Sequence, residues 1–142
     1  MLVKLLTARC KRAVHDSLTF ALPKVKVSVN EGVVKGVVEK LPESGQKFMR
    51  FSGIPYAKPP IHELRFRSPQ KLQKFTQDEV DCTRERDACY HKSAFHGKFI
   101  GSEDCLNLNL YVPESASSSN KLPVMVFIHG GGLAFDSNSR DL

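Results

Sequence analysis

The run Leu122-Pro123-Val124-Met125-Val126-Phe127-Ile128-His129-Gly130-Gly131-Gly132 decides how this chain reads. Residues 122–128 are apolar at every position after a proline, which predicts a strand covered on both faces rather than an alternating, half-solvated one. The strand would stop at three consecutive glycines. With no Cβ, such residues let the backbone approach a ligand closely and take dihedrals closed to other residues, so that their amides can converge on one developing oxyanion. In open α/β sheets the functional loops leave from the carboxyl ends of strands, and His129 to Gly132 would lie at such an end. The run ends only ten residues before Leu142, which leaves almost no room for a nucleophile beyond it.

Upstream, the pattern is that of a β-meander. Val25-Lys26-Val27-Ser28-Val29 alternates with period two, Asn30-Glu31-Gly32 supplies turn chemistry, and Val33 to Glu39 is again valine-rich, so a hairpin is expected. Pro42, Ser44 and Gly45 punctuate the next stretch, and Phe48, Met49 and Phe51 mark a third strand over Lys47 to Ser52. Gly53 to Pro69 holds four prolines in seventeen residues, which excludes a helix or a central strand. It reads as an ordered connecting loop pinned to a core by Tyr56, Leu64 and Phe66. Residues 71–103 are polar and aperiodic, and loops with one helical turn are expected there. Leu106, Leu108, Leu110 and Val112 then alternate with Asn107, Asn109 and Tyr111, a strand ended by Pro113, and the serine-rich tract Ser115 to Asn120 is a flexible turn into the apolar run.

Composition bounds the partners. At 142 residues, 41% apolar and 25% charged, the chain has the size and balance of one soluble globular domain. The net charge of +6 gathers at the start, where Lys4, Arg9, Lys11 and Arg12 make residues 1–24 a basic arm. No Lys/Arg run with interleaved aromatics and no nucleic-acid-binding signature accompanies it, so nucleic acid is not an expected partner. Charges break the arm's apolar stretches, so no signal peptide or membrane span is evident, although a weak contact with a membrane surface is open to it. Four cysteines are few for a disulfide scaffold and no Asn-x-Ser/Thr acceptor exists, which leans toward a cytoplasmic protein, peripheral at most to intracellular membranes. Cys82, Cys89, His91, His96 and Cys105 invite a zinc reading, but without a close Cys-x-x-Cys pair ordinary thiols or one disulfide are preferred, and no metal is expected.

Several blocks together resemble one family. The strand followed by His129-Gly130-Gly131-Gly132 is similar to the oxyanion loop of α/β-hydrolase esterases. Glu103-Asp104-Cys105-Leu106-Asn107-Leu108-Asn109-Leu110-Tyr111-Val112-Pro113 resembles the acidic-acidic-Cys-Leu signature of type-B carboxylesterases and cholinesterases, at the expected short distance upstream. Phe51 to Ala57, and Pro59-Pro60 with Leu64-Arg65-Phe66, resemble that family's amino-terminal blocks. The likeness covers about residues 25–142 and is nearest in character to insect α-esterases, which are mostly intracellular. Asn107 is a departure, since the family usually has Tyr or Thr there, and it reads as a local packing change.

The resemblance implies the amino-terminal portion of an α/β-hydrolase fold: an antiparallel meander leading into the first core strands of an incomplete sheet, over residues 25–142. It implies a serine carboxylic ester hydrolase acting on small-molecule esters through an acyl-enzyme, with no cofactor. By position, the Gly131 and Gly132 amides would face the substrate's carbonyl oxygen, and His129 and Gly130 would be loop residues, since the family's base comes much later in a longer chain. Cys89 and Cys105 would be bridged in secreted relatives and thiols in a reducing cytosol. Arg65 and Glu103 fit a structural ion pair. No Gly-x-Ser-x-Gly occurs in the 142 residues, so the chain alone is expected to be inactive and poorly soluble. A non-catalytic cholinesterase-like interaction module, or a truncated and non-functional product, is the alternative; the oligomeric state is open.

Overall fold

A computed structural model describes residues 22–94 and 97–139. The basic arm through residue 21, with Cys10, and also His96, lie outside the described residues.

Strands β1 (Lys24–Val29) and β2 (Gly32–Lys40) form the expected hairpin, with Val29 opposite Gly32 and Lys24 opposite Val37. β3 (Lys47–Pro55) returns antiparallel along the second half of β2, Val37 facing Arg50 and Lys40 facing Lys47. The first half of β2 takes a different neighbour on that side. β4 (Glu79–Asp81) runs parallel to it, Val33 opposite Glu79 and Lys35 opposite Asp81. Cys82 closes the join between β2 and β3, its amide donating to the Lys35 carbonyl (2.8 Å) and its carbonyl accepting from the Ser52 amide (2.7 Å). β7 (Asn107–Pro113) completes the path β1-β2-β3-β7, while β5 (His91–Lys92) and β6 (Phe99–Ile100) make a separate two-stranded ribbon.

The core is small and lies where those strands meet. Val34, Phe51, Val80 and Cys82 are buried together, with Val25, Met49, Ile54, Phe75, Leu110 and Val112 packed around them. One face of this sheet opens into an apolar groove of about 450 Å³ walled by Val27, Val34, Met49, Phe51, Phe75 and Val112. Across the sheet, Arg50 is buried and Nε reaches the Glu39 carboxylate (2.7 Å), while Nη1 donates to Ser52 Oγ (2.7 Å). At the β2–β4 edge, Lys35 pairs with Asp81 (2.8 Å) and Lys26 with Glu79 (2.5 Å). The Lys35 ammonium, with the Thr83 hydroxyl and amide, holds the Asp81 carboxyl far below the usual carboxylate range.

Four sequence-based expectations are corrected. Residues 122–128 form no strand: apart from a single-residue bridge at Phe127 the run has no regular structure, and Val124 and Ile128 are exposed. A strand exists only where its N–H and C=O groups meet a neighbour's along its length, and none of the seven strands among the described residues pairs with this run. Secondly, β3 continues into the proline-rich segment as far as Pro55, because a bulge between Phe51 and Ile54 lets the ladder with β7 resume. Thirdly, Phe66 does not pin the loop; it is 93% exposed and lies under the Arg65 guanidinium (4.9 Å), while Tyr56 is exposed as well. Lastly, residues 71–103 hold three short strands and no helical turn among the described residues, the one 3-10 turn falling at His62–Leu64.

Candidate functional site

The glycine loop owes its shape to its residue types. Gly131 and Gly132 have φ of 103° and 60°, in the left-handed region where a side chain is strained, and a Cβ at Gly131 would collide with the Phe135 carbonyl. The turn closes on the Gly131 carbonyl, which accepts from the Ala134 (3.0 Å) and Phe135 (3.2 Å) amides. Neither the Gly131 nor the Gly132 amide donates to another described residue, so both are available to an external acceptor. His129 Nδ1 lies 2.8 Å from the Gly130 carbonyl. A carbonyl can only accept, so the Nδ1 proton is committed to the loop's own backbone.

What anchors the far side of this loop was not read from the sequence. In β7 the usual sense of alternation is inverted: Asn107 and Asn109 are the buried residues, Asn109 at 1% exposure, and Leu108 and Leu110 are only half-buried. The bulge in β3 explains Asn109. Gly53, at φ 74°, has left the ladder, and its amide donates instead to Asn109 Oδ1 (2.8 Å). Asn109 Nδ2 donates to the Asn138 carbonyl (2.8 Å) and to Glu85 Oε1 (3.3 Å), and Ser139 Oγ donates to Glu85 Oε2 (2.6 Å). Asn138 Nδ2 in turn donates to Asn107 Oδ1 (2.9 Å). Residues 137–139, just past the glycine turn, are thereby tied to β7. The available signal was the pair of asparagines two apart on one strand face, a pattern that a solvated face imitates.

The remaining residues singled out from the sequence fall into two contacts near this footing. Cys89 and Cys105 are joined by a disulfide with Cα atoms 4.8 Å apart, beside the parallel bridge of Cys89 to Ser102. Arg65 Nη2 meets Glu103 Oε1 at 3.0 Å, both side chains about half exposed, which ties the 3-10 turn to the segment entering β7. Cys82 stands apart: burial pushes its thiol up to about 11, so it is a protonated core residue and not a nucleophile at neutral pH. Among the described residues no group of three or more His, Cys, Asp or Glu side chains is arranged to hold a metal, and no helix is long and apolar enough to cross a membrane.

Known proteins are similar to this chain. Residues 23–141 match the carboxylesterase family. The chain is 37% identical over 122 residues to esterase B1 of Culex pipiens, covering 86% of this chain and 22% of that one. It is 42% identical over 112 residues to the juvenile hormone esterase of Tribolium castaneum, covering 78% of this chain and 18% of the relative. The crystal structure of juvenile hormone esterase from Manduca sexta, with OTFP covalently attached, superposes with a TM-score of 0.70 at 38% identity, over 80% of this chain and 22% of that one. The chain thus spans about a fifth of the length of the relatives it matches. A meander, a bulged β3–β7 pair and a glycine loop in this order are the amino-terminal part of an α/β-hydrolase fold, its sheet incomplete, and the chain belongs to the carboxylesterase family.

Proposed function

We propose that this chain supplies the oxyanion loop of a serine carboxylic ester hydrolase, and that the 142 residues alone do not turn over esters. The observation that carries the reading is the pair of Gly131 and Gly132 amides, left without a partner among the described residues at a turn that only glycine accommodates easily. In the reaction such a hydrolase performs, an activated serine attacks the ester carbonyl, and the carbonyl oxygen takes up negative charge. The tetrahedral intermediate collapses to an acyl-enzyme with loss of the alcohol, and water then releases the acid. Gly131 and Gly132 would donate to that oxygen in both halves, with His129 and Gly130 shaping the loop. A third donor belongs to the residue following the nucleophile, and one missing donor costs about 3 kcal/mol of transition-state stabilisation. The reading that the chain by itself is inactive is supported by the absence of Gly-x-Ser-x-Gly from its sequence.

The Cys89–Cys105 bridge and the Arg65–Glu103 pair are read as structural, holding the segment ahead of β7. A bridge enclosing 16 residues contributes about 3 kcal/mol in the loop-entropy account and persists in an oxidising compartment. A relative is named venom carboxylesterase-6, of Apis mellifera, which together with the bridge favours an oxidising compartment over the cytosol for this chain. Alkylation of thiols in freshly lysed cells distinguishes the two.

Two arms test the functional reading. The purified chain is expected to give neither p-nitrophenyl ester turnover nor fluorophosphonate labelling, and serine-dependent turnover would overturn its inactivity. A chimera in which residues 25–142 replace the matching segment of an insect juvenile hormone esterase is expected to hydrolyse esters. Its Gly131→Val variant is expected to lose about a hundredfold or more in kcat, the scale of one lost oxyanion donor; an unchanged kcat would remove the loop from the mechanism.

A further inference from the structure

We infer that Asn107 is a positioning residue that sets the glycine loop through Asn138, an inference that rests on the oxyanion-loop reading above. Asn107 opens β7 almost fully buried, and its carboxamide is used at both ends. Nδ2 donates to the Cys105 (3.1 Å) and Asp87 (3.3 Å) carbonyls, while Oδ1 accepts from Asn138 Nδ2 (2.9 Å). Only a carboxamide offers two donors and an acceptor on one short planar group. A threonine or tyrosine carries a single hydroxyl and cannot serve all three partners from the same site.

Asn138 is therefore held twice by the same strand face, by its side chain on Asn107 and by its carbonyl on Asn109. Between this foot and the turn at Gly131 the backbone is strained: Leu133 and Asp136 take φ of 62° and 83°, left-handed values that are unfavourable for a non-glycine residue. Such a conformation persists only where its ends are fixed. One end is the pair of bonds from Ala134 and Phe135 to the Gly131 carbonyl, and the other is Asn138. Losing the Asn107–Asn138 bond leaves the foot on the Asn138 carbonyl and on Ser139 Oγ, bonded to Asn109 and Glu85, and the turn that aims the Gly131 and Gly132 amides opens more often.

Amide-resolved hydrogen exchange on the intact chain tests this, with Asn138→Ala, Asn107→Thr and the double variant. Each single variant is expected to exchange the Ala134 and Phe135 amides about tenfold faster, the effect of one neutral hydrogen bond, and to shift the Gly131 and Gly132 amide resonances. The Val33 and Ser52 amides, which bond across the sheet to the Asp78 and Cys82 carbonyls, are expected to keep their rates. The double variant is expected to be no faster at Ala134 and Phe135 than Asn138→Ala alone, because one bond is removed in both. Asn138→Ala leaves Asn107's bonds to Cys105 and Asp87 in place, so it carries the test even if Asn107→Thr disturbs the strand. Unchanged exchange at Ala134 and Phe135, equal acceleration at Val33 and Ser52, or multiplying effects in the double variant would each overturn the inference. No ester is present in the measurement, so its failure is separable from failure of the chimera to hydrolyse one.

Discussion

β3 and residues 122–128 are built from the same kinds of residue and come to opposite ends. Phe48, Met49, Phe51 and Ile54 in one, and Val124, Met125, Val126, Phe127 and Ile128 in the other, are strand formers by any propensity. β3 lies between β2 and β7 and is a nine-residue strand, buried in its middle, whereas the later run pairs with none of the seven strands among the described residues and is largely exposed. The difference lies in neighbours rather than in intrinsic preference. A strand that is apolar on both faces is the one most dependent on partners, because it has no solvated face and no turn that brings a second strand back to it.

The contrast breaks most visibly at Phe51, which is 2% exposed and central to the core. Phe51→Ala is expected to cost about 3–5 kcal/mol, from lost burial plus the cavity it leaves among Val34, Val80 and Cys82. Urea unfolding of the variant reads this directly. A loss below about 1 kcal/mol would mean that the sheet does not form a cooperative core, and that β3 is no better off than the later run.

A smaller effect sharpens the contrast at the bulge. Asn109→Ala removes the acceptor of the Gly53 amide and the donor to the Asn138 carbonyl, leaving buried polar groups without partners at about 1–3 kcal/mol. The expected signature is a lowered urea midpoint together with faster exchange at the Gly53 amide. Slow exchange at Gly53 in this variant would show that the bulge is held by something other than β7's side chain.

Legibility in the sequence follows the same division. The β1–β2 hairpin was readable because alternation and Asn30-Glu31-Gly32 are local signals, and their partner lies two residues away. β7 was readable as a strand but not in its facing, since the bulge whose Gly53 amide Asn109 receives is a property of the β3–β7 pairing and leaves no mark on residues 107–113 themselves. β4, β5 and β6 are two or three residues long, too short for any period to register, and each exists through its partner. The glycine loop was legible as a motif, because Gly131 and Gly132 take conformations that the residue type itself demands. Its footing was not, because Glu85, Asn107, Asn109 and Asn138 meet only through the fold. Phe66 misled because an aromatic among prolines is read as an anchor, whereas its ring carries the Arg65 guanidinium in solvent.

The smallest expected effect makes the most direct comparison, since it places one substitution in both regions. Ile54 is half-buried against the core in β3, and Ile128 is 72% exposed. Ile54→Thr removes an apolar group packed against the core and is expected to cost about 1–2 kcal/mol. Ile128→Thr removes a side chain that is mostly in water already, and its expected cost lies within about 0.5 kcal/mol. Both are read from urea midpoints at constant slope, which separates stability from any change in the compactness of the unfolded chain. Equal costs would show that residues 122–128 are packed in solution, and the contrast with β3 would fall. A threonine at 128 also takes a large aliphatic group off an exposed apolar run, so Ile128→Thr is expected to remain soluble at higher concentration than the parent, with no matching gain for Ile54→Thr.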